Sequence, residues 1–256
     1  MSSYGVDPRE AGSEISTDAG KIRNNALLEQ IYGDVYQRIL QEVPKERFPQ
    51  LLELGSGGGF FREAAPHAIT SECVEVPGID RVVDACLIDQ CFDEQSLDAI
   101  AAFNVFHHLP DAAGFLRGVG RVLRPGGRLC LVEPWFTPIG QWFYRVIHHE
   151  PSILDPADWR IVGEGRLGGA NSRLPTSVFR DGDARFAQEF PELAIVKREP
   201  FHKWLYLLSG GLRLNTRVPR MLAKRLVELD ARVHRGNDLF GLFALIVVER
   251  RNGRRA

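Results

Sequence analysis

A run of glycines after a short apolar segment is the clearest chemical signal in the sequence. Residues 50–54 are mostly apolar, and residues 55–59 read Gly-Ser-Gly-Gly-Gly. Glycine has no Cβ and tolerates a positive φ, so a strand that opens onto this loop lets the backbone pass close beneath a ligand. The pattern favours a nucleotide-like ligand, with a tight structural turn as the alternative interpretation.

The spacing of these glycines distinguishes between classes of nucleotide-binding loop. A dinucleotide loop of the G-x-G-x-x-G/A type needs a small residue three positions after Gly57, where this chain has Phe60. A phosphate-binding P-loop needs a Lys followed by Ser or Thr, and no such pair follows Gly59. The sequence therefore disfavours both a nicotinamide dinucleotide and ATP hydrolysis.

Two pairs of adjacent histidines, His107 with His108 and His148 with His149, are the second chemical signal. Imidazole titrates near neutrality and is a natural general base. Adjacent side chains diverge, so we expect at most one of each pair to face a ligand. We select His108 and, from the second pair, His149 with His148 as its alternative, as candidate catalytic residues; the other interpretation is a hydrogen-bonded structural role. The pairs lack H-x-H or H-E-x-x-H spacing, so no metal is expected.

The elements that must position these residues alternate between short apolar strands and amphipathic helices. Strands are predicted at residues 50–54, 68–74, 81–83, 97–103, 128–133, 193–198 and 242–249. Helices are predicted at residues 28–43, in short form at 60–65, after an Asp111 N-cap, and at 222–233, where Leu222, Leu226, Leu229 and Val233 share one face. This alternation predicts an α/β domain with a largely parallel sheet.

Composition and charge exclude several classes of protein. The chain has 256 residues, 44% of them hydrophobic and 25% charged, with a formal net charge of -1. No overall field attracts nucleic acid, and no nucleic-acid partner is expected. The longest apolar run, residues 242–248, is far shorter than the roughly 20 residues of a membrane span, and the N-terminus lacks a signal peptide's apolar stretch. We expect a cytoplasmic protein without an integral membrane segment, and four buried free cysteines.

Four segments resemble, in order, the motifs of one enzyme family. They are Glu-Leu-Gly-Ser-Gly-Gly-Gly at 53–59, Val-Asp-Ala at 83–85, Asn-Val-Phe-His-His-Leu-Pro at 104–110 and Arg-Val-Leu-Arg-Pro-Gly-Gly at 121–127. Together they resemble the class I, Rossmann-like S-adenosylmethionine-dependent methyltransferases, most closely the methyltransferase type 11 group, over residues 51–133. The resemblance implies a seven-stranded Rossmann-like sheet, mostly parallel with an antiparallel last strand, and helices on both faces.

The resemblance also implies S-adenosyl-L-methionine as the cofactor and a role for each matching residue. Glu53 would orient the methionine amino group, and Asn104 would contact the same methionine side. Gly55 and Gly57 would place the backbone beneath the cofactor. The turn at 83–85 would contact the adenine through Asp84 and Ala85.

The ribose ligand that the resemblance implies is an acidic residue at the end of the second strand. A carboxylate suits this role because it accepts two hydrogen bonds at once. We select Glu72, with Glu75 and Asp80 as alternatives, and a solvated loop charge as the other interpretation of Glu72. Glu72 follows Gly59 closely, which implies a truncated first helix.

Domain organisation follows from where the hydrophobic periodicity starts and stops. Residues 1–20 are polar without a hydrophobic period, and we expect a flexible lead-in outside the core. Residues 21–256 are expected to form one domain, with an irregular insertion at 134–191 that contains a helix at 139–148. This insertion is a candidate acceptor pocket, and its candidate aromatic walls, with ordinary core packing as the alternative, are Trp135, Phe136, Trp142, Phe143 and Tyr144.

Methyl transfer from a sulfonium needs few protein groups, because the protein mainly aligns the acceptor, excludes water and takes a proton from a hydroxyl. The resemblance therefore implies methylation of a small-molecule or sugar (glycan) acceptor, with oxygen as the expected atom. The alternative is a catalytically silent cofactor-binding or partner-binding protein that retains the fold. Residues 204–208, beside Lys203 and Arg213, would contact a membrane that carries a lipid-linked acceptor if they do not pack in the core.

Overall fold

The computed structural model describes residues 8–137, 159, 169–201, 205, 218–233 and 241–252. Its strands there are β1 (Leu51–Leu54), β2 (Ile69–Glu72), β3 (Arg81–Val82), β4 (Leu97–Phe103), β5 (Leu123–Pro134), β6 (Leu193–Phe201) and β7 (Phe243–Arg250). Its α-helices there are α1 (Pro8–Arg23), α2 (Ala26–Glu42), α3 (Phe61–Ala64), α4 (Ile88–Cys91), α5 (Ala112–Val122), α6 (Leu174–Thr176), α7 (Asp183–Glu189) and α8 (Arg220–Val233). Within these ranges, no helix joins the length of a membrane span to the apolar composition that a bilayer requires.

The strands form one seven-stranded sheet in the order β3-β2-β1-β4-β5-β7-β6. Strand β7 runs antiparallel to its neighbours β5 and β6, and the other adjacent strands are parallel. The predicted Rossmann-like sheet, mostly parallel with an antiparallel last strand, is confirmed. Chain order reverses between β1 and β4, which pair directly. In open α/β sheets, such a switch point opens a crevice at the carboxyl ends of the strands.

Both faces of the sheet are buried, and alternate side chains enter two separate cores. Leu52 and Leu54 of β1 pack into the core that contains the apolar face of α5, whereas Leu51 packs into the core that contains the apolar face of α2. All four residues of β1 are buried, as expected for a strand that is covered on both faces. Helices on both faces of the sheet are therefore confirmed.

Helix α1 corrects the prediction for the N-terminal segment. Ala11 and Ile15 pack against Val74 and Val76, just beyond the end of β2. The expectation that residues 1–20 stay outside the core is therefore wrong where the structure describes them. These apolar residues are spaced by one helical turn, but the Ser, Asp and Glu around them weaken the periodic pattern. The contact with the chain after β2 stabilises a helix that the pattern alone does not indicate.

Helix α8 buries a different face from the predicted one. Ala223 and Val227 pack against α2, whereas Leu222 and Leu229 are 49% and 56% exposed. Leu226 of the predicted face packs partly against the same cluster. The helix carries apolar residues on more than one side, so periodicity does not identify the buried side. The short side chains of Ala223 and Val227 allow close approach to α2, and this contact selects their face.

All four cysteines are free thiols, as predicted, but their burial differs. Cys130 of β5 is buried, whereas Cys73, Cys86 and Cys91 are half-buried. Burial raises the pKa of Cys73 to about 12. This thiol therefore stays protonated near neutral pH and is a poor nucleophile.

Candidate functional site

The loop after β1 contains three glycines in the left-handed region. The φ angle is 69° at Gly55, 56° at Gly57 and 73° at Gly59. A Cβ on Gly55 would lie 2.3 Å from Cγ2 of Val105 in the segment after β4, which is closer than two carbon atoms can approach. Glycine is therefore required at position 55 both by the backbone conformation and by the neighbouring loop.

Hydrogen bonds attach this loop to the end of β2. The N–H of Ser56 donates to the carbonyl of Ser71 at 2.9 Å, and the N–H of Ser71 donates to Oγ of Ser56 at the same distance. The N–H of Gly57 donates to Oε1 of Glu72 at 2.7 Å. The carboxylate of Glu72 thus lies against the glycine loop, where the resemblance placed the ribose ligand.

A cavity of about 110 Å³ lies at the carboxyl ends of β1, β2 and β4. Its lining residues are Ile15, Leu54, Gly55, Glu72, Cys73, Val83, Ala85, Phe103, Asn104, Val105, His108 and Leu109. Five of the predicted site residues are among them, namely Gly55, Glu72, Ala85, Asn104 and His108. Segments that are far apart in the sequence thus bring these five predicted residues to one cavity. Helix α1 adds Ile15 to the lining, which sequence reasoning missed.

Glu53 and Glu72 are buried carboxyl groups beside this cavity. Glu53 is 4% exposed, and its Oε2 has no hydrogen-bond partner. Burial raises the pKa of Glu53 to about 8, and the charge of Glu72 adds to the rise. Burial also raises the pKa of Glu72, against the lowering effect of the N–H groups of Gly57 and Cys73. Glu53 and Glu72 thus provide two acidic groups that could bind a cationic ligand group.

Asn104 follows β4 directly and has an uncommon backbone conformation. Its φ is 57°, in a region that asparagine tolerates better than most residues but that still costs free energy. Its N–H donates to the carbonyl of Val132 on β5 at 3.0 Å. Its Oδ1 is buried without a hydrogen-bond partner. Strained backbone and unsatisfied acceptors of this kind occur more often at functional sites than elsewhere.

The three acidic candidates for the ribose site occupy different environments. Glu72 is 7% exposed and lines the cavity. Glu75 is exposed and does not line it. Asp80 accepts hydrogen bonds from Arg62 and from the N–H of Thr70, also outside the lining. Of the three, the structure brings Glu72 to the cavity.

The turn after β3 contributes an apolar wall. Ala85 lines the cavity together with Val83 and Leu109. Asp84 does not line it, and its Oδ1 accepts the N–H of Cys86 at 3.0 Å, which caps the 3-10 turn over Ala85–Leu87. Asp84 thus shapes the turn that presents Ala85.

His108 lines the cavity from the 3-10 turn over Phe106–His108. Its Nδ1 lies 3.2 Å from the carbonyl oxygen of Gly169. A carbonyl oxygen only accepts hydrogen bonds, so we assign the proton of the neutral ring to Nδ1. Nε2 is then the basic nitrogen, which is the property that a general base requires.

His107 does not line the cavity but pairs with a residue that sequence reasoning missed. Its Nδ1 lies 2.6 Å from Oε2 of Glu133, and the two residues are 4% and 0% exposed. Of the first histidine pair, the structure therefore places one member at the cavity and one in the interior. The signal for Glu133 was its position as a lone carboxylate at the end of an apolar strand.

Other predicted residues lie outside the described part of the chain or in the core. Outside it are His148, His149, the predicted helix at 139–148, Trp142, Phe143, Tyr144 and residues 204 and 206–208. Trp135 and Phe136 are buried in the two cores, not in the cavity lining. Leu205 packs in a third core, against α2 and α8. Among the described residues, no three His, Cys, Asp or Glu side chains come together as a metal site.

Part of the chain matches a known protein family and several curated proteins. Residues 52–131 match the family model that is described as a methyltransferase domain. The chain is 30% identical over 136 residues to 27-O-demethylrifamycin SV methyltransferase of Amycolatopsis mediterranei, which covers 44% of this chain and 49% of that protein. It is 25% identical over 138 residues to a ubiquinone biosynthesis O-methyltransferase of Xanthomonas oryzae pv. oryzae, which covers 43% and 58%. The chain thus spans about half the length of these curated relatives.

A solved structure shares the fold over nearly the whole chain. It is a chain of a Haloferax volcanii complex that contains the Trm112 methyltransferase activator, with a TM-score of 0.50 and 14% identity. The match covers 94% of this chain and 98% of that one. At this identity the likeness concerns the fold alone.

Proposed function

We propose that this chain, whose residues 52–131 match the family model of a methyltransferase domain, belongs to the class I S-adenosylmethionine-dependent methyltransferases and transfers a methyl group from S-adenosylmethionine to a small-molecule acceptor. The observation that carries the proposal is a pair of buried oxygen atoms without hydrogen-bond partners, Oε2 of Glu53 and Oδ1 of Asn104. They belong to adjacent strands, β1 and the end of β4, at the switch point of the sheet. Buried acceptors without donors cost free energy, which a ligand with N–H donors would recover.

The methionine end of S-adenosylmethionine fits these two acceptors. Its ammonium group is a cation with three N–H donors. A carboxylate and an amide oxygen are suitable acceptors, and a neighbouring cation favours the ionised form of Glu53. Gly55 lines the cavity, and its missing Cβ leaves room for Val105, which lines the cavity beside it. We propose that Glu53 and Asn104 bind the methionine end above Gly55 and Gly57.

Other lining residues of the cavity suit a ribose and an adenine. Glu72 accepts the N–H of Gly57 at Oε1 and the N–H of Cys73 at Oε2, and the carboxylate retains further lone pairs for two hydroxyl groups. Val83, Ala85 and Leu109 form an apolar wall for a flat base. We propose that Glu72 binds the ribose, and that Ala85 and Asp84 contact the adenine.

The proposed chemistry is an in-line displacement. When bound, S-adenosylmethionine supplies an activated methyl group for transfer to a nucleophile. His108 lines the same cavity, and its Nε2 would accept the proton of an acceptor hydroxyl. His149 stays a second candidate for this proton. The names of the two curated relatives, which concern a rifamycin and ubiquinone biosynthesis, support oxygen as the methylated atom and a small molecule, or a sugar, as the acceptor.

The test uses S-adenosylmethionine with an isotopically labelled methyl group and fractionated extracts of phenols, polyketides and sugars. We expect label in one class of hydroxylated compound and stoichiometric release of S-adenosylhomocysteine.

His108→Ala should slow transfer by about 100-fold or more, the usual contribution of a general base, with unchanged affinity for S-adenosylmethionine. Glu72→Gln should weaken that affinity, whereas Asp80→Asn, the matched carboxylate outside the cavity, should not.

Two results would overturn the proposal at different points. Absence of S-adenosylmethionine binding in calorimetry at millimolar ligand would remove the cofactor assignment. Binding without transfer to any acceptor would remove the enzymatic activity and favour the catalytically silent cofactor-binding protein.

A further inference from the structure

Glu133 at the end of β5 is a fully buried carboxylate that collects backbone donors. Its Oε1 accepts the N–H groups of Val105 and Phe106, both at 2.8 Å. Its Oε2 lies 3.4 Å from the N–H of His107. A buried carboxylate is costly unless hydrogen bonds compensate it, and here consecutive amides of one turn do so. One side chain of β5 thus determines the path of the chain that leaves β4.

The ring of His107 completes this arrangement. Its Nδ1 lies 2.6 Å from Oε2 of Glu133, and a carboxylate acceptor places the ring proton on Nδ1. The carbonyl of His107 accepts the N–H of Asn171 at 2.8 Å. The turn is therefore held by its amides, by an imidazole and by a segment that follows much later in the chain.

The residues that this turn carries are those of the proposed site. Asn104 precedes the turn with its strained φ of 57°, a conformation that persists only where the surroundings enforce it. His108 ends the turn, and its ring centroid lies 4.1 Å from that of His107. Val105 meets the bare surface of Gly55. A shift of the turn would move the methionine-binding oxygen and the proposed base together.

We propose that Glu133 and His107 are a pair of positioning residues that orient Asn104 and His108 toward the cofactor without touching it. This inference rests on the proposed function, because it assigns the pair to the same cavity. The pair acts through the backbone of residues 105–107 and through the imidazole tautomer. We therefore expect substitutions of either residue to weaken cofactor binding more than a substitution elsewhere that lowers the stability of the protein by a similar amount.

The test compares substitutions that keep or remove single hydrogen bonds. His107→Asn retains a donor near the position of Nδ1, whereas His107→Leu removes it at similar volume. Glu133→Gln keeps an oxygen for the amides of Val105 and Phe106 but turns its NH₂ toward the imidazole, so Nδ1 must become an acceptor. We expect Glu133→Gln and His107→Leu to weaken S-adenosylmethionine binding about tenfold or more, the loss that is typical when an outer-shell partner of a metal ligand is removed, and His107→Asn to restore most of the affinity.

The matched control is a buried carboxylate at the other end of β4. Asp98 is 9% exposed, and it accepts the N–H of Gln50 at 2.9 Å and a hydrogen bond from Arg124 at 2.8 Å. Asp98→Asn should lower thermal stability without changing cofactor affinity. Amide hydrogen exchange at residues 105–107 and the ¹⁵N chemical shifts of the His107 ring supply readouts that do not depend on activity.

Each outcome decides the inference. Weakened binding in Glu133→Gln and His107→Leu, with rescue in His107→Asn and no effect in Asp98→Asn, supports it. Equal affinity in all variants overturns it, as does a loss of affinity in Asp98→Asn of the same size. If Glu133→Gln does not fold, the two His107 variants decide. Failure of the unsubstituted protein to bind S-adenosylmethionine would instead overturn the proposed function.

Discussion

Glu53 lies in β1 with one carboxylate oxygen buried and without a donor. Burial disfavours its anion, so it holds its proton to an unusually high pH, and the pKa of Glu53 is about 8. A cation bound beside it reverses this preference, because a nearby positive charge favours the ionised carboxylate. We therefore expect Glu53 to couple the binding of a cationic ligand to the release of a proton.

Binding of S-adenosylmethionine at pH 7 is expected to release up to about one proton from Glu53. Below its pKa of about 8, the carboxyl group is protonated in the free protein and ionised in the complex. Affinity should therefore rise as the pH approaches 8 and fall above it, where Glu53 is already ionised in the free protein and the ligand loses its own positive charge. The ligand's α-amino group, with an ordinary pKa of about 7.7–8.0, is mostly charged at pH 7. Calorimetry in two buffers of different ionisation enthalpy counts the released protons.

The control for this prediction is Glu53→Gln, which keeps the shape of the side chain and is neutral at every pH. We expect weaker binding in this variant and no proton release from position 53. Equal proton release by the two proteins would show that the proton comes from another group.

Helix α3 and helix α1 together explain how the glycine loop is supported. Helix α3 has only four residues, Phe61–Ala64, as the close spacing between the loop and Glu72 predicted. Helix α1 lies against this short connection, where Arg23 donates to the carbonyl of Gly58 at 3.1 Å and stacks over the ring of Phe60 at 4.7 Å. The N-terminal helix thus contacts the glycine loop and the residue that precedes α3 directly.

The close approach of the loops after β1 and β4 gives a prediction for two neighbouring glycines. Gly55 and Gly57 both have positive φ, but a Cβ on Gly57 meets nothing within 4 Å, whereas one on Gly55 collides with Val105. Gly57→Ala should therefore lower the free energy of unfolding by the backbone cost alone, about 1–2 kcal/mol. Gly55→Ala should cost more, since the collision is added. Urea denaturation of both variants measures the difference.

A double substitution separates the two contributions. Val105→Ala removes the methyl group that the new Cβ would meet, so Gly55→Ala should be less damaging in its presence than alone. Additive losses of stability in the double variant would mean that the collision contributes nothing.

The molecule as a whole is organised around β4, the middle strand of the sheet. Ile100 of β4 is fully buried in the core that contains the apolar face of α5, whereas Val196 on the edge strand β6 is 50% exposed. Covering both faces of the sheet makes the central strands sensitive to substitution and leaves the edges tolerant. The cavity lies where these central strands end, so its loops leave from the most buried part of the fold.

Ile100→Ala should lower the free energy of unfolding by about 2–5 kcal/mol, because it removes methyl groups from a packed core. Val196→Ala, which removes a similar group at the edge, should change it by less than about 0.5 kcal/mol. Chemical denaturation of the two variants gives both values. Similar losses at the two positions would contradict the assignment of β4 to the centre of the core.

The sequence alone determined the features that depend on local chemistry. Strand β4 begins and ends where the apolar run does, at Leu97 and Phe103. Gly55 and Gly57 predicted a loop with positive φ, because few other residues adopt that conformation. The order of strands and motifs was enough to predict the sheet and to select residues that the structure brings to one cavity.

Only the tertiary structure decided which faces and which polar groups meet. The wrong predictions for α1 and for the face of α8 share one cause, since each depends on a partner surface that periodicity does not describe. Glu133 and His107 are 26 positions apart, and nothing local marks them as a pair. Periodicity and glycine requirements act within a few residues of chain, whereas burial and hydrogen-bond partners arise from contacts that exist only once the chain has folded.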